Sequence, residues 1–410
     1  MNLPSSPPSS SSTTPVPPAP PADSVHSTVL LLAVAAFFSA AAMRVCDGLL
    51  PRIGHEFGIT PGTAGGVVLV FALAYGLSQL VFGPLGDRFG KARMVGIALL
   101  GCMLLSLVAA LSEGFQGLLF ARAAWGAAAA GVIPLSMAWI GDAVPYEERQ
   151  PTLARFLVGT ISGMMAGQLA GGLFADAAWG WRGAFMLMAL GYGLVGCLLL
   201  ARLRHIRVAP PVAGSGWGVF GRQVRTVLAN PWSWRVLGIT LAEGVLLMGP
   251  MAFLPAYLHQ RFGLSLSVAS GLIAIYAVGG IVYALFARRL VAALGESAMV
   301  AIGGLLMGAG FLAWWLSPVA WTAGPVALVV GFGTYLLHNT LQTNATQMAP
   351  AARGTAMATF AFCLFGGQAI GVALAGPAFD HWGGGVMLAV PAAGMPLVAL
   401  AFARARRRRD

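Results

Sequence analysis

Long apolar runs separated by short polar stretches cover most of this 410-residue chain. About 20 consecutive apolar residues are enough for a helix to span a bilayer, and the chain offers such a run twelve times. The predicted spans are residues 28–50, 64–85, 94–112, 115–141, 153–175, 183–203, 235–258, 266–288, 298–317, 323–347, 354–376 and 385–403. A soluble core could not hold so many uncharged helices, so the pattern predicts an all-α polytopic membrane protein with 12 transmembrane helices.

The two ends of the chain differ from the spans. Residues 1–27 form a Pro/Ser/Thr-rich tract with almost no large apolar side chains, which is typical of a segment that cannot bury enough surface to fold. We expect a disordered cytoplasmic tail there and, because its start carries no positive charge, no signal peptide. Residues 404–410, "RARRRRD", form a basic cytoplasmic tail suited to anionic lipid headgroups.

Composition and charge agree with a membrane protein and give its orientation. Hydrophobic residues make up 58% of the chain and charged residues 9%, against about 25% charged in a soluble domain. With a cytoplasmic amino terminus, the loops on the cytosolic side carry 19 of the 24 Lys and Arg residues. Arg52, Arg182 and Arg261 lie in the opposite loops. By the positive-inside rule both termini are cytoplasmic, in a bacterial-type inner membrane. The net charge of +11 therefore reports topology, and no nucleic-acid partner is expected.

The chain also contains an internal duplication. A charge-rich linker at 204–234 separates six spans (28–203) from six more (235–403). The Phe-Gly pairs at 57–58 and 262–263 lie 205 residues apart, and "GQLAGG" (167–172) has a partner in "GQAIGV" (367–372) at an offset of 200. Two pseudo-symmetric six-helix bundles are a transporter plan, with the substrate between the halves near the bilayer midplane.

The loop after the second span, "GPLGDRFGKAR" (83–93), combines a glycine-rich turn with one acid and three bases. Such charges can form pairs that break when helix ends separate. The stretch resembles the cytoplasmic loop signature of the major facilitator superfamily, which implies the major facilitator fold and a conformational latch that also uses an acid ending the fourth span. The latch residues are Gly83, Asp87, Arg88, Gly90, Lys91 and Asp142. The second-half copy, "RRLVAALGE", has Ala292 opposite Asp87, so one latch is expected.

Two further stretches resemble the proton-coupled drug-antiporter branch of that superfamily. "LLFARAAWG" (118–126) matches its fourth-span pattern through Arg122 and Gly126, with Trp125 in place of glutamine. "GMMAGQLAGG" (163–172) resembles the antiporter signature of the fifth span, with Gln168 where proline is expected. The resemblance implies a helix motif formed by Gly163, Gly167, Gln168, Gly171 and Gly172. Proline would bend this helix and glutamine would not, which weakens the antiporter assignment.

Arg44 and Asp47 place two full charges in the first span. Three residues apart on a helix, they share a face and can pair. One interpretation is a structural pair whose side chains reach the outer headgroups. The other is a proton or substrate site, because ionisable residues inside spans usually face a cavity. The pattern D-x-x-x-P, from Asp47 to Pro51, resembles the first-span acid of drug antiporters, and in the major facilitator superfamily the first span lines the cavity. The resemblance thus implies that Asp47 is a proton-coupling residue, with Arg44, Arg122 and Trp125 beside the substrate.

The second half supplies Glu243 in the seventh span and a polar stripe in the tenth. The stripe includes His338, Asn339, Gln342 and Thr343 on two adjacent helical ridges. A stripe this wide suits a wet cavity or another helix better than lipid. We hypothesise that Glu243, a second proton-coupling candidate, faces His338 across the cavity. The alternative is that each is satisfied locally within its own bundle.

The function predicted from these features is proton-coupled antiport that exports small amphipathic compounds or drugs. A proton-coupled importer or a carrier of anionic metabolites is the alternative within transport, and a non-transporting receptor or scaffold is the alternative outside it. No enzyme is predicted, because the chain lacks a metal cluster, a nucleophile with its base and an ATP-binding loop. We expect a monomer with no cofactor or metal, driven by the proton gradient, with a small molecule, protons and the bilayer as partners.

Overall fold

A computed structural model describes residues 22–204 and 217–408 of the chain, and these form helices joined by short connections. The predicted tail at 1–27 lies outside the described residues as far as residue 21, and the prediction of disorder is wrong for 22–27, which begin the first helix. The first half contains the helices Ala22–Arg44, Leu50–Phe57, Pro61–Ala64, Gly66–Phe89, Lys91–Ala110, Phe115–Ala129, Val132–Ala143, Tyr146–Asp176 and Gly180–Leu203.

Helices of the second part of the chain extend beyond the predicted spans at both ends. Its α-helices are Trp217–Ala229, Pro231–Glu243, Gly249–Met251, Leu254–Phe262, Leu266–Ala274, Tyr276–Leu316, Ala323–Thr346, Arg353–Trp382 and Gly384–Arg407, with a π-helix at Gly244–Met248 and 3₁₀ turns at Ala320–Thr322 and Pro350–Ala352. The predicted linker at 204–234 thus contains a helix of its own, although 205–216 lie outside the described residues. The basic tail continues the last helix to Arg407, because its arginines follow the apolar run without a helix breaker.

Within the described residues, eleven helical segments are long and apolar enough to cross a membrane, and one of them is long enough to cross twice. That segment, Leu266–Leu316, has 51 residues, about 76 Å at helical rise, against a hydrocarbon core of about 30 Å. Gly295 interrupts it with φ 70° and ψ 163°, a backbone conformation that costs glycine little. The twelve predicted crossings are therefore present, and both described ends lie on one side of the bundle. We call it the terminal side and the opposite one the distal side.

The backbone repeats itself between the halves. Glycines with positive φ occur at equivalent places, namely Gly58 and Gly263, Gly90 and Gly295, and Gly180 and Gly383. Gly90 separates the second and third spans as Gly295 separates the eighth and ninth. This confirms the predicted pair of pseudo-symmetric six-helix bundles.

Glycines on the fifth and eleventh spans fix the register of this repeat. A Cβ on any of them would meet backbone atoms of the first or seventh span. The contacts are Gly163 with Phe37, Gly167 with Ala41, Gly367 with Leu241 and Gly371 with Val245. Each second-half pair lies 204 residues after its counterpart. The predicted pairing of 167–172 with 367–372 is therefore wrong by one helical turn, because backbone packing and not the shared Gly-Gln dipeptide sets the register.

The two halves are packed together at the distal side and separate towards the terminal side. Along the second span, a Cβ on Gly62 would meet Gly376 and Asp380 of the second half, and one on Gly76 would lie 3.1 Å from the Phe365 side chain. Two turns further, a Cβ on Gly83 would have no neighbour within 4 Å among the described residues. The space between the halves therefore opens towards the terminal side.

Candidate functional site

The first span breaks where its two charges lie. Its helix ends at Arg44, residues 45–49 form turns, and a new helix begins at Leu50 with Pro51 in its first turn. Proline cannot donate to the preceding turn, so the helical ladder stops before it. The sequence-based placement of Asp47 on a continuous helix is corrected by this break, which leaves the carboxylate in a turn between two half-helices.

Asp47 and Arg44 form a buried ion pair at the seam between the halves. Arg44 Nη1 lies 3.2 Å from Asp47 Oδ2, and Asp47 has no solvent-exposed surface. Asp47 Oδ1 has no hydrogen-bond partner in the described part of the chain. Arg44 Nη2 donates to Met248 Sδ of the seventh span at 3.1 Å, so the guanidinium bridges both halves. A half-satisfied buried carboxylate is costly as an anion, and taking up a proton would relieve that cost.

Arg122 and Trp125 do not face the seam, which corrects their prediction as cavity residues. The Arg122 guanidinium carbon lies 4.1 Å from the Phe71 ring centre and 4.7 Å from that of Trp125. Arg122 also donates to the carbonyls of Val67 (3.3 Å) and Ala42 (3.4 Å). Trp125 is fully buried. The aromatic rings and carbonyls hold this cation inside the first half.

Glu243 and His338 pair as hypothesised, but within the second bundle and not across the cavity. His338 Nδ1 lies 3.1 Å from both Glu243 carboxylate oxygens. Glu243 is fully buried, whereas 19% of the His338 side chain is exposed. Glu243 ends an α-helix at the π-helix Gly244–Met248, an irregularity that is frequent at functional sites. Both residues belong to the second half, so the pair joins the seventh and tenth spans of one bundle.

The rest of the tenth-span stripe lies beside this pair. Asn339 and Gln342 are half-buried and Thr343 is exposed. The Thr343 hydroxyl donates to the Asn339 carbonyl at 2.9 Å, a bond within its own helix. The side chains of these residues offer polar atoms that a ligand could contact. Their role in substrate binding stays a prediction.

The Glu243–His338 contact predicts non-additive effects on stability. We expect Glu243→Gln and His338→Ala each to lower the melting temperature of the purified protein, because each leaves a buried polar group without its partner. The double variant should melt no lower than the less stable single variant, with a coupling of about 1–2 kcal/mol. Thermal unfolding of the four proteins in detergent measures this. Strictly additive shifts would contradict a direct pair.

The fifth-span glycine motif is a packing surface. Gly163, Gly167 and Gly171 let the fifth span touch the backbone of the first, and a Cβ on Gly172 would lie 2.5 Å from the Leu266 carbonyl of the second half. Gln168 is buried, and its Nε2 has no hydrogen-bond partner in the described chain. The motif therefore joins three spans at the distal seam.

In the predicted latch, Lys91 links two acids of the first half. Its Nζ pairs closely with Asp142 and lies 4.0 Å from Asp87 Oδ1. Gly90 provides the positive φ that turns the chain between the second and third spans. Gly83 and Arg88 are exposed. The charges thus pair within one half in this conformation, in which the halves are apart on the terminal side.

The comparisons with known proteins agree with this architecture. Residues 32–372 match the family model described as Major Facilitator Superfamily. The chain belongs to the major facilitator superfamily. Membership makes this protein a membrane transporter and not an enzyme, with a small-molecule substrate and the bilayer as its surroundings.

Two bacterial relatives match most or more than half of the chain. It is 30% identical over 399 residues to "Probable transporter SCO4007" of Streptomyces coelicolor, covering 90% of this chain and 85% of the relative. Identity to "Inner membrane transport protein YnfM" of Escherichia coli is 27%, over 58% and 56% of the two chains.

Two fungal relatives match shorter parts. "Efflux pump terG" of Aspergillus terreus is 29% identical over 43% of this chain and 34% of its own. "Quinidine resistance protein 1" of Saccharomyces cerevisiae is 28% identical over 46% and 33%.

Solved structures show the same fold at low identity. A bacterial homologue of the human lysosomal transporter Spinster, in an inward-facing and unoccupied conformation, superposes with a TM-score of 0.69 at 18% identity, covering 94% and 95% of the two chains. A D-xylose–proton symporter gives 0.73 at 14% identity, over 92% and 97%.

Sequence reasoning missed two acids at the distal ends of spans. Asp176 ends the fifth span and Asp380 lies at the end of the eleventh, and each accepts hydrogen bonds from the opposite half. A signal was available, because "GLFAD" (172–176) and "GPAFD" (376–380) place a glycine four residues before each acid, 204 residues apart.

Proposed function

We propose that this transporter is a proton-coupled antiporter that exports small amphipathic organic compounds across a bacterial inner membrane by alternating access. The observation that carries the proposal is Asp47, a fully buried carboxylate at the break of the first span with one oxygen unpartnered among the described residues. Protonation would discharge a buried anion, release Arg44 from its pair and so shift the balance between the two orientations of the halves.

The remaining support comes from the second half and from relatives. Glu243 offers a second buried carboxylate, which contacts the partly exposed His338. One relative is named an efflux pump and another a quinidine resistance protein. With a cytosolic terminal side, as the positive-inside rule predicts, this conformation is open to the cytosol, where an exporter loads its substrate.

A proton-coupled carrier of anionic substrates is the second candidate. Arg44 favours it, because this buried cation touches the second half through a thioether, a weak acceptor that an anion would displace readily.

Dye accumulation in efflux-deficient bacteria tests the proposal. Cells producing the protein should hold less ethidium, or less of another amphiphile from a small panel, than cells with empty vector. A protonophore should abolish the difference. Accumulation above the vector level would favour import, and no effect of any compound despite folded expression would contradict drug export and favour the anion carrier or a non-transporting receptor.

A further inference from the structure

The distal seam contains two reciprocal contacts between the halves. Asp176, ending the fifth span, accepts from the Ser267 backbone N–H at 2.7 Å, from the Leu266 N–H at 3.2 Å and from the Ser267 hydroxyl at 2.5 Å. Leu266 and Ser267 begin the eighth span, in the other half. The first N–H groups of a helix lack partners within it, so a carboxylate from outside satisfies them.

The same arrangement recurs in the opposite direction. Asp380, on the eleventh span, accepts from the Gly62 N–H at 2.9 Å and from the Thr60 hydroxyl at 2.5 Å. Thr60 caps the start of the second span, as Ser265 caps the start of the eighth. Each half thus contributes one carboxylate and receives one.

We propose that Asp176 and Asp380 form a two-part distal latch that holds the halves in the conformation open to the terminal side. Moving the halves apart at the distal seam would break the hydrogen bonds of both carboxylates together. It would also expose two helix N-termini and two carboxylates to water. The predicted latch around Asp87 lies at the other side of the bundle. The distal latch and the Asp87 latch would therefore stabilise opposite conformations of the transporter. The inference rests on alternating access, and it adds the residues that set the balance between the two states.

A buried serine in the seam reports on its opening. The Ser270 side chain is fully buried, and its Oγ lies 2.5 Å from where a Cβ on Gly48 would stand. In a background with Cys46, Cys102, Cys197 and Cys363 replaced, Ser270→Cys should react with a maleimide when the distal seam opens. The measured quantity is the labelling rate of full-length protein in nanodiscs, which reports conformation and not transport. If the transport assay failed, the labelling result would still test the distal latch, because labelling does not depend on the substrate or on coupling.

We expect Asp176→Asn and Asp380→Asn each to raise the labelling rate about fivefold, and the double variant about 25-fold if their effects add. Thr60→Val and Ser267→Ala remove donors while keeping the carboxylates, and should also raise the rate. Glu113→Gln is the matched control, an exposed distal acid for which the described residues show no contact with the second half. Rates equal to that control in variants that remain monodisperse would overturn the proposal, as would an increase confined to one of the two carboxylates.

Discussion

Replacing Gly167 by valine is expected to destabilise the protein strongly, because it forces two helix backbones apart. A Cβ at this position would lie 2.6 Å from the Ala41 Cα and 2.7 Å from its carbonyl carbon, and closer still to the carbonyl oxygen. These are backbone atoms that cannot rotate away, so the fifth and first spans would have to separate. Overpacking of a tight site typically costs about 1–3 kcal/mol, and we expect the upper end or more because the helix backbones are in contact.

Gly238→Val is the matched control for this prediction. Gly238 is an exposed helical glycine of the seventh span, and a Cβ there would have no neighbour within 4 Å in the part of the chain that the structure describes. Both variants put the same β-branched side chain into a helix, so differences in helix propensity cancel. The melting temperature and the monodisperse yield in detergent measure the outcome. If Gly167→Val has the same melting temperature as Gly238→Val, the close packing of the first and fifth spans is not needed for stability.

Asp47→Asn should abolish coupled transport while leaving the protein folded. Asparagine keeps the size of the side chain but can neither ionise nor take up a proton, so the ion pair with Arg44 is replaced by a neutral contact that does not respond to pH. The break of the first span then contains no titratable carboxylate through which the proton gradient could drive transport. We expect extrusion of a transported amphiphile to fall at least about tenfold, towards the empty-vector level, as measured by dye accumulation.

Two variants control this result. Glu147→Gln removes a negative charge from an exposed position on the terminal side and should leave extrusion unchanged. Asp47→Glu keeps the titrating group and should retain part of the activity. Full protonophore-sensitive extrusion by Asp47→Asn would show that Asp47 and Arg44 form a structural pair, with coupling elsewhere.

The fold and the main charge pairs could be predicted from the sequence because both depend on local composition. Apolar runs of the right length specify spans in a bilayer whatever their neighbours. A charge within such a run needs a partner, so Glu243 and His338, the ionisable residues of two spans at similar depth, were a natural pair. The latch loop was predictable because its glycine and charges are adjacent in sequence.

Features that depend on how helices meet could not be predicted in the same way. Trp125 and Arg122 have the residue types of a cavity wall, yet the aromatic side chains of Phe71 and Phe185 enclose the cation inside one bundle. Nothing in the fourth span specifies those distant rings. In the sequence, Asp176 is an ordinary acid at a helix end, because its role depends on a helix start in the other half.

Proton movement coupled to substrate tests the central claim most directly. Proteoliposomes with an acidic lumen and a pH-sensitive dye would receive the amphiphile that cells extrude best. For the wild type, we expect the compound to accumulate inside while the lumen becomes more alkaline, and for Asp47→Asn we expect neither change. Accumulation by the wild type without proton release, or equal proton release by Asp47→Asn, would contradict antiport coupled through Asp47.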